Sequence, residues 1–213
     1  MKKGIIFDMD GTLWDSAENV AKSWTIAIKK SGIIEKEITM DDMQRVMGKT
    51  MDVIADILFP ELEKEQRMQL LDACCILEND YLREHGGVLY PMLEQTLAEL
   101  KKEYPLYIVS NCQKGYIEAF LDYYQLWDYF EDIECYGNNL LPKWDNMRLI
   151  ADRNHLEEAV YVGDIHGDYD ASQKAGIGFI HAAYGFGTID AEVPKIEGFS
   201  DLPEVAELYF KSK

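Results

Sequence analysis

Short apolar runs alternate with stretches of helical spacing over most of the chain. Residues 4–9 (Gly-Ile-Ile-Phe-Asp-Met) lead into Asp10-Gly11-Thr12, the pattern of a buried strand that ends in a tight turn. Residues 105–110 (PLYIVS), 159–164 (AVYVGD) and 178–183 (GFIHAA) have the same form, and 132–136 is a weaker run of the kind. Each is followed by polar or glycine residues, as parallel strands buried on both faces require. Between them, Leu93, Leu97 and Leu100 repeat after Pro91, and Ile117, Phe120, Leu121 and Tyr124 repeat after Gln113. Met147, Ile150 and Ala151 follow Lys143, and Val205, Leu208 and Tyr209 follow Asp201-Leu202-Pro203. The alternation predicts an α/β fold, a Rossmann-like parallel sheet with helices on both faces.

Residues 16–85 break that rhythm. They carry helical patterns at Val20, Trp24, Ala27 and Ile28, then Met43, Val46 and Met47 after a Thr39 cap. Val53, Ile54, Ile57 and Leu58 follow, then Leu70, Cys74, Leu77 and Tyr81, with no convincing strand among them. The expected organisation is an α/β core of residues 1–15 and 86–213 and a small all-helical domain of residues 16–85, inserted after the first strand. No internal repeat is present.

Charge narrows the function classes. Lys and Arg number 21 against 39 Asp and Glu, a formal net charge of −18. Such a surface repels nucleic acids and anionic headgroups, so neither nucleic acid nor membrane is expected as a partner. No apolar run is long enough to cross a bilayer, and a cytoplasmic protein, monomer or homodimer, is expected. Cys74, Cys75, Cys112 and Cys135 lack CxxC spacing and read as reduced thiols that fill the core. The tryptophans and histidines read as core, rim or solvent-facing groups rather than a base-stacking platform or a zinc site.

The chemistry concentrates at strand ends. Asp8 and Asp10 close the first strand, and the turn at Gly11 can swing the second carboxylate over the first. Like charges about 4 Å apart repel by about 4 kcal/mol at an effective dielectric of about 20, so a cation or proton is expected between them. Gly163-Asp164-Ile165-His166-Gly167-Asp168 closes another strand with carboxylates at i and i+4. Alone, one motif suits a capped strand end and the other an acidic helix start. Strand ends of one parallel sheet gather at one edge, however, so Asp8, Asp10, Asp164 and Asp168 can converge around a hard cation, and oxygen ligands with water select magnesium. Ser110-Asn111 offers a hydroxyl and backbone N–H groups at a helix N-terminus, a phosphate cradle. Lys143 supplies a positive charge that offsets the acids and a phosphoryl oxygen.

The ordered set Asp8-x-Asp10-Gly11-Thr12, Ser110-Asn111, Lys143 and Gly163-Asp164-x-x-x-Asp168 resembles the four motifs of the haloacid dehalogenase superfamily of hydrolases. Residues 8–16 (DMDGTLWDS) and 181–187 (HAAYGFG) look most like its phosphoglycolate-phosphatase-like branch, and the helical insertion looks like the first type of cap in that superfamily. The resemblance implies a magnesium-dependent phosphatase acting on a small phosphorylated metabolite, phosphoglycolate-like or a sugar phosphate. It makes Asp8 the nucleophile that forms an aspartyl-phosphate and Asp10 the acid and base. It makes Ser110, with Asn111, the phosphoryl-oxygen site and Lys143 the residue that orients Asp8. Magnesium would be held by Asp8, Asp164 and the backbone carbonyl of Asp10, with Asp168 as a ligand or bonded to the metal's waters. Asp10 also argues against halide displacement, which needs no acid there. Gly48, Lys49 and Thr50 resemble the substrate-specificity loop of the cap, and Arg45 is a weaker candidate of the same kind. A phosphomutase of the β-phosphoglucomutase type uses the same nucleophile, and a regulatory protein could keep the fold without catalysis.

Overall fold

The computed structural model describes residues 2–212. The chain opens with β1 (Lys3–Phe7), turns into the two-residue β2 (Trp14–Asp15), and enters four helices: α1 (Ala17–Ser31), α2 (Met40–Val46), α3 (Met51–Leu58) and α4 (Lys64–His85). β3 (Val88–Leu89) then pairs antiparallel with β2, so the helical segment leaves and rejoins at a single clasp. Helices and strands alternate from there: α5 (Leu93–Leu100), β4 (Leu106–Ser110), α6 (Tyr116–Tyr124), β5 (Asp132–Cys135), α7 (Tyr136–Asn139) and α8 (Lys143–Arg153). β6 (Glu158–Gly163), α9 (His166–Ala175), β7 (Gly178–Ala182), β8 (Lys195–Ile196) and α10 (Leu202–Lys211) complete the chain.

The main sheet has the order β5-β4-β1-β6-β7-β8, and every pairing in it is parallel. The five runs read from the sequence are the five longest of its strands. The sixth, β8, is two residues long, too short for a period of two to show, and β2 and β3 escape the same reading for the same reason. The first run stops at Phe7 rather than residue 9. Asp8 N–H still reaches the Val162 carbonyl at 2.9 Å, but Met9 O then accepts from Leu13 N–H at 2.8 Å and the chain curls.

Strand residues alternate strictly between the two faces. Ile5, Phe7, Ile108, Val160, Val162 and Ile180 pack with the buried side chains of α5, α6, α10 and the inserted helices. Ile6, Tyr107, Val109, Tyr161 and Phe179 pack on the other face against Met147 and Ile150 of α8 and Ala171 of α9. The apolar side chains of the inserted helices therefore merge into the core beneath one sheet face, with α4 lying against α6. At the β5 edge, Arg153 bonds Asp132 and Glu134 and covers the strand with charge. The four cysteines are free; Cys75 is half-buried and the other three are buried. Among the described residues no helix is long and apolar enough to cross a membrane.

Candidate active site

The parallel register brings the carboxyl ends of β1, β4 and β6 side by side, and with them the residues that follow. Asp8 comes from β1, Ser110 from β4 and Asp164 from β6, while α8 contributes Lys143 and α9 contributes Asp168. All five side chains are buried. Lys143 Nζ donates to Asp8 Oδ1 at 2.9 Å and to Asp168 Oδ1 at 2.6 Å. Asp168 Oδ2 accepts from the backbone N–H groups of Asp164 and Ile165 at 3.2 and 3.3 Å, so this carboxylate fixes both the lysine and the start of α9. Asp164 Oδ2 accepts from Phe186 N–H at 2.7 Å.

Asp8, Asp164 and Asp168 each present a carboxylate oxygen within 4.8 Å of the others. Three carboxylates against one ammonium leave two negative charges in a buried volume. The consequence is visible in their acidities. Asp8 is pushed up to about 7 by burial and by Asp168, with Lys143 pulling the other way. Asp164 is raised well above the ordinary range by burial, Asp168 and Asp8. Burial works against the Lys143 charge, yet Asp168 and Asp8 outweigh it and raise its affinity for the proton. Hard oxygen donors gathered around surplus negative charge suit a divalent cation of the magnesium type.

The fourth expected carboxylate stands apart, and here the anticipated convergence of four side chains is corrected. Asp10 Oδ1 accepts from Ser16 Oγ and from the Tyr116 hydroxyl, both at 2.7 Å, and these two hydroxyls are 2.7 Å from each other. The turn responsible has Gly11 at φ 82°, with its N–H bonded to the Trp14 carbonyl. A Cβ on Gly11 would lie 2.0 Å from Asp164 Oδ2, so only glycine lets the turn approach the acid cluster. Burial raises Asp10 to about 6, with the Tyr116 and Ser16 bonds opposing it. A carboxyl titrating there can give and take a proton near neutrality.

A cavity of about 40 Å³ opens beside Asp8 and Asp10 and is walled by Ser110, Asn111, Gln113 and Tyr116 of the sheet unit and by Trp24, Met47, Gly48, Lys49 and Glu78 of the inserted helices. Ser110 was expected at a helix N-terminus. The helix α6 instead starts at Tyr116, after Gly115 at φ 92°, and Ser110 Oγ accepts from Cys112 N–H at 3.4 Å. Asn111 Nδ2 donates to the Gly48 carbonyl at 2.8 Å and ties the β4 end to the turn between α2 and α3. Gly48 and Lys49 stand on the cavity wall; Thr50 is not among its lining residues and precedes α3 in an extended conformation. Arg45 and Lys49 line a second, wider cleft that reaches His166 and Phe186.

Several residues of the site carried no readable signal. Tyr116 and Ser16 look like ordinary helix-start residues, and Phe186 acts through its backbone. Glu78 did leave a trace, because it interrupts a buried stripe of Leu70, Cys74 and Leu82 at spacings of four.

A family model described as haloacid dehalogenase-like hydrolase matches residues 5–182. Phosphoglycolate phosphatase of Yersinia pseudotuberculosis is 27% identical over 193 residues, covering 86% of this chain and 82% of that protein. The Aquifex aeolicus protein of the same name is 26% identical over 197 residues, with 89% of each covered. Among solved structures, a haloacid dehalogenase-like hydrolase from Bacteroides fragilis superposes with a TM-score of 0.80 at 25% identity, covering 95% of this chain and 100% of that one.

Proposed function

The chain belongs to the haloacid dehalogenase-like hydrolases, and from that membership we propose that it is a magnesium-dependent phosphatase of a small phosphorylated metabolite. The single observation that carries this reading is the buried Lys143 bridge between Asp8 and Asp168 beside a cavity that Asp8, Asp10 and Ser110 share. Relatives named phosphoglycolate phosphatase support the reaction class.

In this reading Asp8 attacks phosphorus and forms an aspartyl-phosphate, which divides a slow hydrolysis into two faster steps. Lys143 holds the Asp8 carboxylate in place and offsets charge on a phosphoryl oxygen. Asp10, steadied by Ser16 and Tyr116, gives a proton to the departing alcohol oxygen and later takes one from the attacking water. Ser110 and the neighbouring backbone receive the remaining phosphoryl oxygens, with Asn111 holding the loop that carries them. Asp8, Asp164 and the carbonyl of Asp10 would hold the magnesium ion, with Asp168 bonded to Lys143 behind them. When bound, the ion neutralises phosphoryl charge and the acids around it. The helices of residues 16–85 act as a cap that excludes water, over a core of residues 1–15 and 86–213.

The test is phosphate release from p-nitrophenyl phosphate with magnesium. Asp8→Asn is expected to lower kcat by at least about 10³-fold, and chelator is expected to stop the wild type. Activity that survives either change overturns the reading, and isomerisation of a hexose phosphate without free phosphate would move it to a mutase.

A further inference from the structure

The wall of the cavity facing the catalytic carboxylates is unusual in what it lacks. Glu78 of α4 is buried in the position of an apolar stripe residue, and one carboxylate oxygen, Oε2, accepts from the Trp24 indole N–H. It lines the cavity with Asp10 and Asn111. Burial and the nearby Asp10 push its carboxyl up to about 7, against the Trp24 and Gln113 hydrogen bonds. Asn111 presents a second acceptor. Its Oδ1 is buried with no hydrogen-bond partner, and the orientation of the amide is settled by the bond from Nδ2 to the Gly48 carbonyl. A buried acceptor left unmade costs about 1–3 kcal/mol, so Asn111 Oδ1 calls for a donor from whatever fills the space, while the Glu78 carboxyl, held by Trp24 and Gln113, stands on the same wall.

Resting on the phosphatase reading, we infer that the cavity accepts a phosphate monoester whose alcohol portion carries a hydrogen-bond donor, a hydroxyl or an ammonium, and no carboxylate, with Glu78 and Asn111 as its recognition pair. A carboxylate offers no donor to Asn111 Oδ1 and meets Glu78 as a like charge whenever that group is ionised. A hydroxyl can give its proton to either acceptor and still accept from Glu78 when that group is protonated. Val20, Met43, Met47 and Ile54 add apolar contact, and Ser110, Gln113 and Tyr116 are the remaining polar groups on the side of the catalytic carboxylates. Lys49 is the one cation on the wall among the described residues, and it lines the wider cleft as well. In this inference the reaction class is that of the relatives named for phosphoglycolate, and the alcohol portion of the substrate is a different one.

The experiment compares kcat/KM for glycerol phosphate, phosphoethanolamine and phosphoglycolate, with p-nitrophenyl phosphate as a substrate that needs no donor. Wild type is expected to favour at least one of the first two over phosphoglycolate by about tenfold or more; which of them leads separates hydroxyl from ammonium. Glu78→Gln keeps an acceptor for the Trp24 indole and can donate to a carboxylate. It is expected to shift the donor-to-carboxylate ratio about tenfold toward phosphoglycolate, through KM. A wild type that prefers phosphoglycolate overturns the inference without any variant, and so does a Glu78→Gln protein in which all rates fall by one common factor, the mark of a purely structural glutamate. Wild type inactive on all four compounds sinks the phosphatase reading and this inference with it.

Discussion

Asp8 and Asp10 are two residues apart on one strand end, yet they live in different surroundings. The first shares a lysine with Asp168, and the second is held by two hydroxyls. That separation suits two roles, because Lys143 fixes the Asp8 carboxyl group and offsets its charge, while the Ser16 and Tyr116 hydroxyls fix the carboxyl of Asp10, raised to about 6, where it can pass a proton. Tyr116→Phe tests the second role. Removing a hydrogen bond to the ionised carboxylate raises the affinity of Asp10 for its proton above the present value of about 6, so the limb of the pH–rate profile that belongs to Asp10 should move to higher pH. A profile that keeps its limb in place would show that Tyr116 does not touch the catalytic proton. Asp8 and Asp164 were readable because they follow strand ends, and Lys143, the first residue of α8, because it takes its place in the ordered set of motifs. Tyr116 was not, because a hydroxyl 106 residues away acquires meaning only where the chain happens to bring it, and Ser16, six residues on, looks like an ordinary helix-start residue.

At the scale of elements, the turn from β1 to β2 does most of the positioning. Gly11 takes a left-handed φ of 82° and lets the turn come close to Asp164, and Gly11 carries no side chain to obstruct it. Gly11→Ala imposes strain of about 1–3 kcal/mol at that φ and drives a methyl into the Asp164 carboxylate. The variant is expected to lose stability by about that amount in urea unfolding and to lose its response to magnesium; an unchanged magnesium requirement would exclude the steric argument. The strands of the main sheet were legible because parallel strands buried on both faces read as unbroken apolar runs. The two-residue β2, β3 and β8 were invisible, since two residues cannot display a period. Helix α4 illustrates the opposite error. Its 70, 74, 78, 82 stripe contains a glutamate, and pattern reading passed over the one polar member, which turns out to face the cavity.

For the whole molecule, burial of acids couples folding to pH. The ordinary values are 3.8 for Asp8 and Asp10 and 4.5 for Glu78, and the folded chain raises them to about 7, 6 and 7. Groups raised on folding stabilise the native state below their unfolded values and withdraw that stability as pH climbs through the folded ones, because the unfolded chain then holds fewer protons. In the presence of chelator, the melting temperature is therefore expected to fall as pH rises from about 4 to about 7, a trend that the self-repulsion of a net charge of −18 reinforces. Magnesium at pH 8 should restore part of the loss by mass action. A melting temperature that climbs steadily over that range in chelator would contradict the burial of these acids. The order of apolar runs, the four motifs and the helical interruption all belong to the sequence alone, because they are one-dimensional patterns imposed by local periodicity and by strand ends that share an edge. Which acid joins the cluster, which turns to Tyr116, and which glutamate faces the cavity were decided only by tertiary packing, since each depends on distances between segments far apart in the chain.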